Sequence, residues 1–365
     1  MPFQVAKSLY VHIPFCDGIC PYCDFCKVEK STHYEQGYLK ALLFDIQNLG
    51  SRRFDTVYVG GGTPTCLEDD NFLRLLKALS PLLEIGGEFT VEANPESLSE
   101  AKIAMMKENG VNRVSIGVES TSRKNLLFLG RKHSFDLVKD RVYALKKAGI
   151  DNINLDLMYG LPGEGLDEVK EDIDNLLSLS PTHISTYSLI LEKGTDFYAR
   201  GIKEGEQEEV ADQYELINDL LKKSGYHRYE VSNFSLPDKE SRHNLVYWEN
   251  RPYVGLGAGA SGYEDGVRYR NTFSIPRFNE GKRKVEEEKV DRDSEASYFL
   301  LTGLRLAKGI SLKEYRSLFG MDLLSNRKEA IDRHIGLGNI EIKGDRLMVK
   351  EERMILLDRV LVDLI

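Results

Sequence analysis

Strand-like runs alternate with longer helical ones over about the first 220 residues, and that order restricts the chain to an α/β architecture. SLYVHI (8–13), TVYVGGGTP (56–64), EFTVEANP (88–95), RVSIGVES (113–120), NINLDLMYGLP (152–162) and HISTYSL (183–189) are apolar, β-branched or aromatic. YLKALLFDIQNLG (38–50), FLRLLKALSPLL (72–83) and the stretches 99–109, 134–148, 165–179 and 206–224 carry apolar residues at helical spacing. Gly50 is a helix-stop signal. Strict β-then-α order predicts a parallel sheet with helices outside it. The first βα turn holds cysteines and no GxGxxG, which weakens a dinucleotide-binding reading. Polar residues recur at strand C-terminal ends, where (β/α) barrels keep their active sites. A barrel-like, incomplete (β/α) arrangement is therefore expected.

The densely charged stretch GKRKVEEEKVDRDSE (281–295) reads as a boundary or an exposed helix start. The expected division is residues 1–280 for the barrel and its extension, and 281–365 for a small, mainly helical C-terminal domain. With 49 basic and 58 acidic residues, the net charge of -9 argues against general attraction to nucleic acid. MPFQVAKSLYVHIPFC lacks the pattern of a signal peptide, and no apolar run approaches a spanning helix. A soluble, cytoplasmic protein is the expectation.

Four of the five cysteines fall in HIPFCDGICPYCDFC, residues 12–26. In a reducing compartment, clustered thiols suggest metal ligands or redox catalysts before disulfides. A structural zinc site would take all four of Cys16, Cys20, Cys23 and Cys26. Zinc domains usually draw ligand pairs from separate turns, whereas these thiols crowd one loop. The C-x3-C-x2-C spacing of Cys16, Cys20 and Cys23 suits a cubane iron–sulfur cluster with one iron left open. From the loop alone the cubane is favoured and zinc stays open.

C-x3-C-x2-C after the first strand and GGGTP after the next together resemble the radical SAM enzymes. These bind S-adenosylmethionine through its amino and carboxylate groups on the open iron of a [4Fe-4S] cluster, and one electron then yields a 5′-deoxyadenosyl radical. YVHIPFC, CPYCDF, VGGGTPT, VEANPES, RVSIGVES, FLGRKH, DLMYGLPGE and YEVSNF…RHNLVYW occur in order from residue 10 to 248. The set is similar to the branch containing oxygen-independent coproporphyrinogen III oxidase and the radical SAM heme chaperones. The implied fold is a radical SAM partial TIM-like barrel.

The resemblance implies cluster ligation by Cys16, Cys20 and Cys23, with Cys26 left over. It places Tyr10 and Tyr22 beside S-adenosylmethionine, the latter near the adenine, and carries Gly61, Gly62 and Thr63 to the methionyl end. Glu92 interrupts an apolar strand, a costly place for a carboxylate without a cation, and the ligand ammonium is its expected partner. Arg131 is expected to clamp the ligand carboxylate; a surface arginine after a loop glycine is the competing placement. Asp156 also interrupts an apolar strand and is expected to hold the ribose hydroxyls. Glu119 stands where the family usually has glutamine, which keeps an acceptor, loses a donor and adds charge. His12 reads as a satisfied core histidine.

In the chaperone branch H-N-x-x-Y-W is associated with heme, and His243, Asn244, Tyr247 and Trp248 match it. The imidazole can ligate iron and the rings can face the porphyrin; a core cluster under the barrel rim is the alternative. Ser261 stands where relatives often have histidine. Three features favour the chaperone over the oxidase: few residues precede Cys16, Phe25 replaces an oxidase-type cysteine, and RHNLVYW is present. The expected function is heme binding and transfer to acceptor hemoproteins, using a [4Fe-4S] cluster and S-adenosylmethionine. The alternatives are radical decarboxylation of coproporphyrinogen III propionates and another radical SAM activity on a tetrapyrrole. Expected partners are heme or another tetrapyrrole, acceptor hemoproteins, an electron donor such as flavodoxin or ferredoxin, and transiently a membrane through the acceptors.

Overall fold

Nine strands form one sheet in the computed structural model, which describes residues 5–365. They are β1 (Ser8–Ile13), β2 (Phe54–Gly61), β3 (Leu83–Ala93), β4 (Arg113–Glu119), β5 (Asn152–Tyr159), β6 (His183–Ser188), β7 (His227–Arg228), β8 (Asn233–Ser235) and β9 (Val254–Leu256). Their order is β9-β1-β2-β3-β4-β5-β6-β8-β7. Pairing is parallel from β9 through to β6 and antiparallel for β6–β8 and β8–β7. The edge strands β9 and β7 do not pair with each other, so the barrel is partial.

Helices α1 (Thr32–Gln47), α2 (Asp69–Leu79), α3 (Glu100–Glu108), α4 (Arg123–Phe128), α5 (Phe135–Lys147), α6 (Leu166–Ser178) and α7 (Gln207–Lys223) fill the crossovers. Ser99 and Ser134 cap α3 and α5 by accepting from the Lys102 and Leu137 amides. The core lies between sheet and helices. Leu9, Val11, Val57, Val59, Phe89, Val91, Val114, Ile116, Ile153 and Leu155 are fully buried, each contributing roughly 1.5–3 kcal/mol by leaving water.

Alternate residues on the same strands point into the barrel, and they are polar: Tyr10 and His12, Thr56 and Tyr58, Glu88 and Glu92, Arg113 and Ser115, Asn154 and Asp156, His183 and Ser185. A parallel sheet covered on both faces ordinarily reads as continuous apolar runs. A period-2 polar set on parallel strands instead marks an interior built for chemistry.

After the barrel, Ser261–Glu264, Val267–Asn271 and Lys284–Lys289 make a three-stranded antiparallel sheet. The charged stretch is exposed as expected, but Lys284–Lys289 is a strand rather than a helix start, and the helix begins at Arg292 behind its Asp291 cap. Cross-strand pairing to Arg268 and Arg270 favours the extended form, as in the Arg270–Glu286 ion pair. The C-terminal region is mainly helical, with a small sheet of Ile310–Ser311, Arg346–Val349 and Ile340–Lys343 between its helices. Among the described residues, no helix is long and apolar enough to cross a membrane.

Candidate functional site

The cysteine loop leaves the C-terminal end of β1 and is pinned at its base by a two-residue parallel ladder, Phe15 to Val28 and Cys16 to Glu29. All five cysteines are free thiols. Two polar residues just past the tips of β2 and β3, Thr63 and Asn94, and Arg131 from the loop after α4 link two of them. Thr63 Oγ1 donates to Cys16 Sγ at 3.8 Å and accepts from Asn94 Nδ2 at 3.0 Å. Asn94 Oδ1 accepts from Arg131 Nη2 at 2.9 Å, and Arg131 Nη1 donates to Cys20 Sγ at 3.7 Å. The chain Cys16–Thr63–Asn94–Arg131–Cys20 spans the mouth of the barrel.

The residues that could hold a metal here are thiols, the donor type that iron–sulfur clusters take. Among the described residues no three His, Cys, Asp or Glu side chains gather closely enough to share a single metal. Gly62 keeps the space clear, because a Cβ there would stand 2.6 Å from the Phe15 carbonyl and 2.8 Å from Cys16 Sγ. Burial pushes the Cys16 thiol up to about 11 and raises that of Cys23. Metal loading therefore has to displace protons.

Beneath the loop, Glu92 accepts from Tyr58 Oη at 2.7 Å and from the Gly61 amide at 3.1 Å. Burial lifts its carboxyl to about 7, against the opposing pull of those donors. Gly60 is required here, since a Cβ would lie 2.8 Å from the carboxylate. Tyr10 bonds His12 Nδ1 at 2.8 Å, and His12 Nε2 donates to the Cys26 carbonyl at 2.8 Å. That bond fixes the tautomer, with Tyr10 as donor to Nδ1, and makes His12 the satisfied histidine expected. Asp156 is held by Asn154 at 2.6 Å and Ser115 at 3.3 Å, and burial raises its carboxyl.

Arg131 is buried rather than on the surface, with Nη2 also on the Gly117 carbonyl at 2.6 Å. Its loop is fixed by His133, which bonds Glu96 and the Val118 carbonyl. Glu119 ends β4 in the left-handed region at φ 64°. Burial raises its carboxyl to about 7, against the pull of the Arg131 guanidinium and the nearby Tyr22 hydroxyl.

The other constellation lies elsewhere. Residues Arg242–Trp248 form helix α8, whose first amides donate to Glu88: Arg242 N to Oε2 and His243 N to Oε1, both at 3.0 Å. His243 is buried, bonded through Nδ1 to Thr56 Oγ1 at 2.7 Å and through Nε2 to Tyr247 Oη at 2.8 Å, and stacked on Tyr58. Burial drops the imidazole to about 3. Thr56 stands near the start of β2, so His243 faces the barrel from the end opposite the cysteines. Its ring nitrogens are both engaged, and ligating an iron requires one of those bonds to open. Asn244 and Trp248 are half-buried, and Arg305 lies over the Trp248 ring at 5.8 Å.

The radical SAM superfamily model matches residues 10–176. The chain is 40% identical over 325 residues to the heme chaperone HemW of Lactococcus lactis subsp. lactis (strain IL1403), spanning 87% of this chain and 86% of that one. It is 37% identical to heme chaperone HemW of Bacillus subtilis (strain 168), over 87% and 88% of the two chains. The chain belongs to the heme chaperone HemW family of radical SAM proteins. HemW of Escherichia coli (strain K12) is 33% identical over 86% of both chains. The solved structure of coproporphyrinogen III oxidase (HemN) from Escherichia coli superposes with a TM-score of 0.87 over 99% of this chain and 90% of that one. At 20% identity that likeness shows the radical SAM fold. Membership of the superfamily implies a [4Fe-4S] cluster and S-adenosylmethionine.

Three residues of the site were not singled out in the sequence: Asn94, which joins Thr63 to Arg131, Tyr58, which donates to Glu92, and Glu88, which caps α8. Their signal was the inward parity on β2 and β3, with Asn94 in the A-N-P that follows.

Proposed function

We propose that this protein binds heme and hands it to acceptor hemoproteins, with a [4Fe-4S] cluster and S-adenosylmethionine at the barrel mouth in support. The observation that carries this reading is the 40% identity, over most of both chains, to a protein named heme chaperone HemW. Cys16, Cys20 and Cys23 hold the cluster, which when bound supplies an open iron and one-electron chemistry. Thr63 and Arg131 orient two of those thiols. Glu92 receives the ligand ammonium, with Gly61, Gly62 and Thr63 at the methionyl end. Asp156 and Glu119 take the ribose hydroxyls, and Tyr10 and Tyr22 flank the ligand. Arg131 can meet the ligand carboxylate through Nε, which has no partner, because its other nitrogens are occupied. His243, Asn244, Tyr247 and Trp248 form the heme-responsive element, which acts by opening helix α8. A flavodoxin or ferredoxin supplies the electron, and membrane association is transient, through the acceptors.

The test is an anaerobic hemin titration followed by mixing with an apo-hemoprotein. A Soret shift on binding and its migration to the acceptor support the proposal. Protoporphyrinogen formation from coproporphyrinogen III, with reductant and S-adenosylmethionine, overturns it in favour of the oxidase.

A further inference from the structure

Arg113 opens β4 and shares the inward parity of Ser115, which bonds Asp156 inside the barrel. It is 1% exposed, and its Nε has no hydrogen-bond partner. Among the described residues no ion pair engages its guanidinium. The neighbouring carboxylates are committed elsewhere, Glu92 to Tyr58 and Gly61, Asp156 to Asn154 and Ser115. Arg113 still acts on both through space, and it also opposes protonation of His183 and His243. Its register partners Thr90 and, one strand further, Tyr58 place it in the interior toward the strand-start end of the barrel, the end that His243 faces.

Other inward groups are orphaned with it. Thr90, the register partner of Arg113, has an unpartnered Oγ1. Asn233 Oδ1 and Ser235 Oγ are likewise unpartnered, on β8 opposite Ser185 and His183. Buried polar groups are ordinarily satisfied, and a buried charge is ordinarily paired. A buried guanidinium whose Nε has no partner, with the unpartnered Thr90 hydroxyl as its neighbour in register, is the complement of a planar anion.

We propose that Arg113 receives a ligand carboxylate inside the barrel, and that it comes from a tetrapyrrole propionate. Only the propionate arm has to enter; the macrocycle stays outside. The same chemistry is available from the carboxylate of S-adenosylmethionine, so the experiment carries an arm for each source. The inference rests on the heme reading above, and the design separates the two.

Hemin and hemin dimethyl ester are titrated into the cluster-loaded wild type and Arg113→Gln. S-adenosylmethionine and its decarboxylated form are titrated in parallel, with thermal melts as the folding control. The wild type is expected to prefer hemin over the diester by about 10-fold or more, the range of a hydrogen bond to a charged group. Arg113→Gln should abolish that preference and leave the S-adenosylmethionine pair unchanged. Loss of preference only in the S-adenosylmethionine pair overturns the propionate assignment and gives the carboxylate to that ligand. Equal wild-type affinities for hemin and its dimethyl ester overturn the proposal without any variant, so a misfolded Arg113→Gln leaves the test intact. Absence of any hemin binding defeats the heme reading instead.

Discussion

Asn94 donates its side-chain amide to Thr63 Oγ1 at 3.0 Å. Because its oxygen accepts from Arg131, and because Thr63 and Arg131 point at the sulfurs of Cys16 and Cys20, one amide coordinates two thiols from outside the loop. Removing it in Asn94→Ala frees Arg131 to follow Glu119 and leaves Thr63 unsupported. The loss is on the order of 1.5–3 kcal/mol, typical of a hydrogen bond to a charged partner. Iron and acid-labile sulfide per chain after anaerobic reconstitution should fall to less than about half of wild type. Asn94→Asp keeps the Arg131 contact and loses the Thr63 donation, so it should fall between the two. Wild-type iron content in Asn94→Ala would remove the network from cluster binding.

Gly62 makes a separate prediction. A methyl at this position meets a backbone carbonyl, which cannot swing aside, and the sulfur of Cys16. Overpacking of this kind costs about 1–3 kcal/mol. Gly62→Ala should fold, shown by a cooperative melt, and load markedly less iron. Full loading would mean that the loop relaxes without cost.

Glu92 should give the barrel a pH signature. Its folded carboxyl titrates near 7, above the ordinary carboxylate value of 4.5, because burial disfavours the charged form. Between those values the folded chain holds a proton that the unfolded chain has released, so stability falls as pH rises through this window. Above 7 the full penalty is present, roughly 3 kcal/mol from the size of the shift. Glu92→Gln should therefore melt higher than wild type, with a margin that grows from pH 5 to pH 8. In the cluster-loaded protein the sign reverses for the ligand. An ammonium prefers the ionised carboxylate, so affinity for S-adenosylmethionine should rise from pH 6 to 7 and level off above. Flat wild-type affinity across that range would place the ammonium elsewhere.

These elements were legible to different degrees. The strand SLYVHI falls on β1 without adjustment, and the helical stretches match α3, α5, α6 and α7 to within a residue at each end, since period and capping are local signals. The cysteine loop was legible in part: its spacing favoured a cubane and left zinc open, and the choice of Cys16, Cys20 and Cys23 came with the motifs downstream. Arg131 shows the limit: the glycine before it left a surface placement competing with the expected ligand-site one, and only the fold, in which His133 and Glu96 turn the loop inward, buries it. The hidden contacts of α8 show another, because RHNLVYW reveals its chemistry but not that Glu88, about 150 residues away in sequence, caps it and draws it against the barrel. Such partners follow from tertiary register, which no local pattern encodes.

His243 supplies the last prediction. Its imidazole is held neutral by burial, near 3 against an ordinary 6.5, with Thr56 and Tyr247 on its two nitrogens. A group depressed in this way leaves stability intact above 6.5. As pH falls through the window the unfolded chain takes a proton the folded chain cannot, and stability is lost, by at most roughly 5 kcal/mol near pH 3. His243→Gln keeps hydrogen-bonding capacity without a titration. It should melt within a few degrees of wild type at pH 8 and lose less on going to pH 5. His243→Ala, which also empties a packed site under Tyr58, should melt lower at both values, so its hemin titration alone does not assign the iron ligand. The glutamine variant does: a lost Soret shift with the fold intact gives the iron to His243, and an unchanged one leaves His243 as the pin that holds α8 against the barrel.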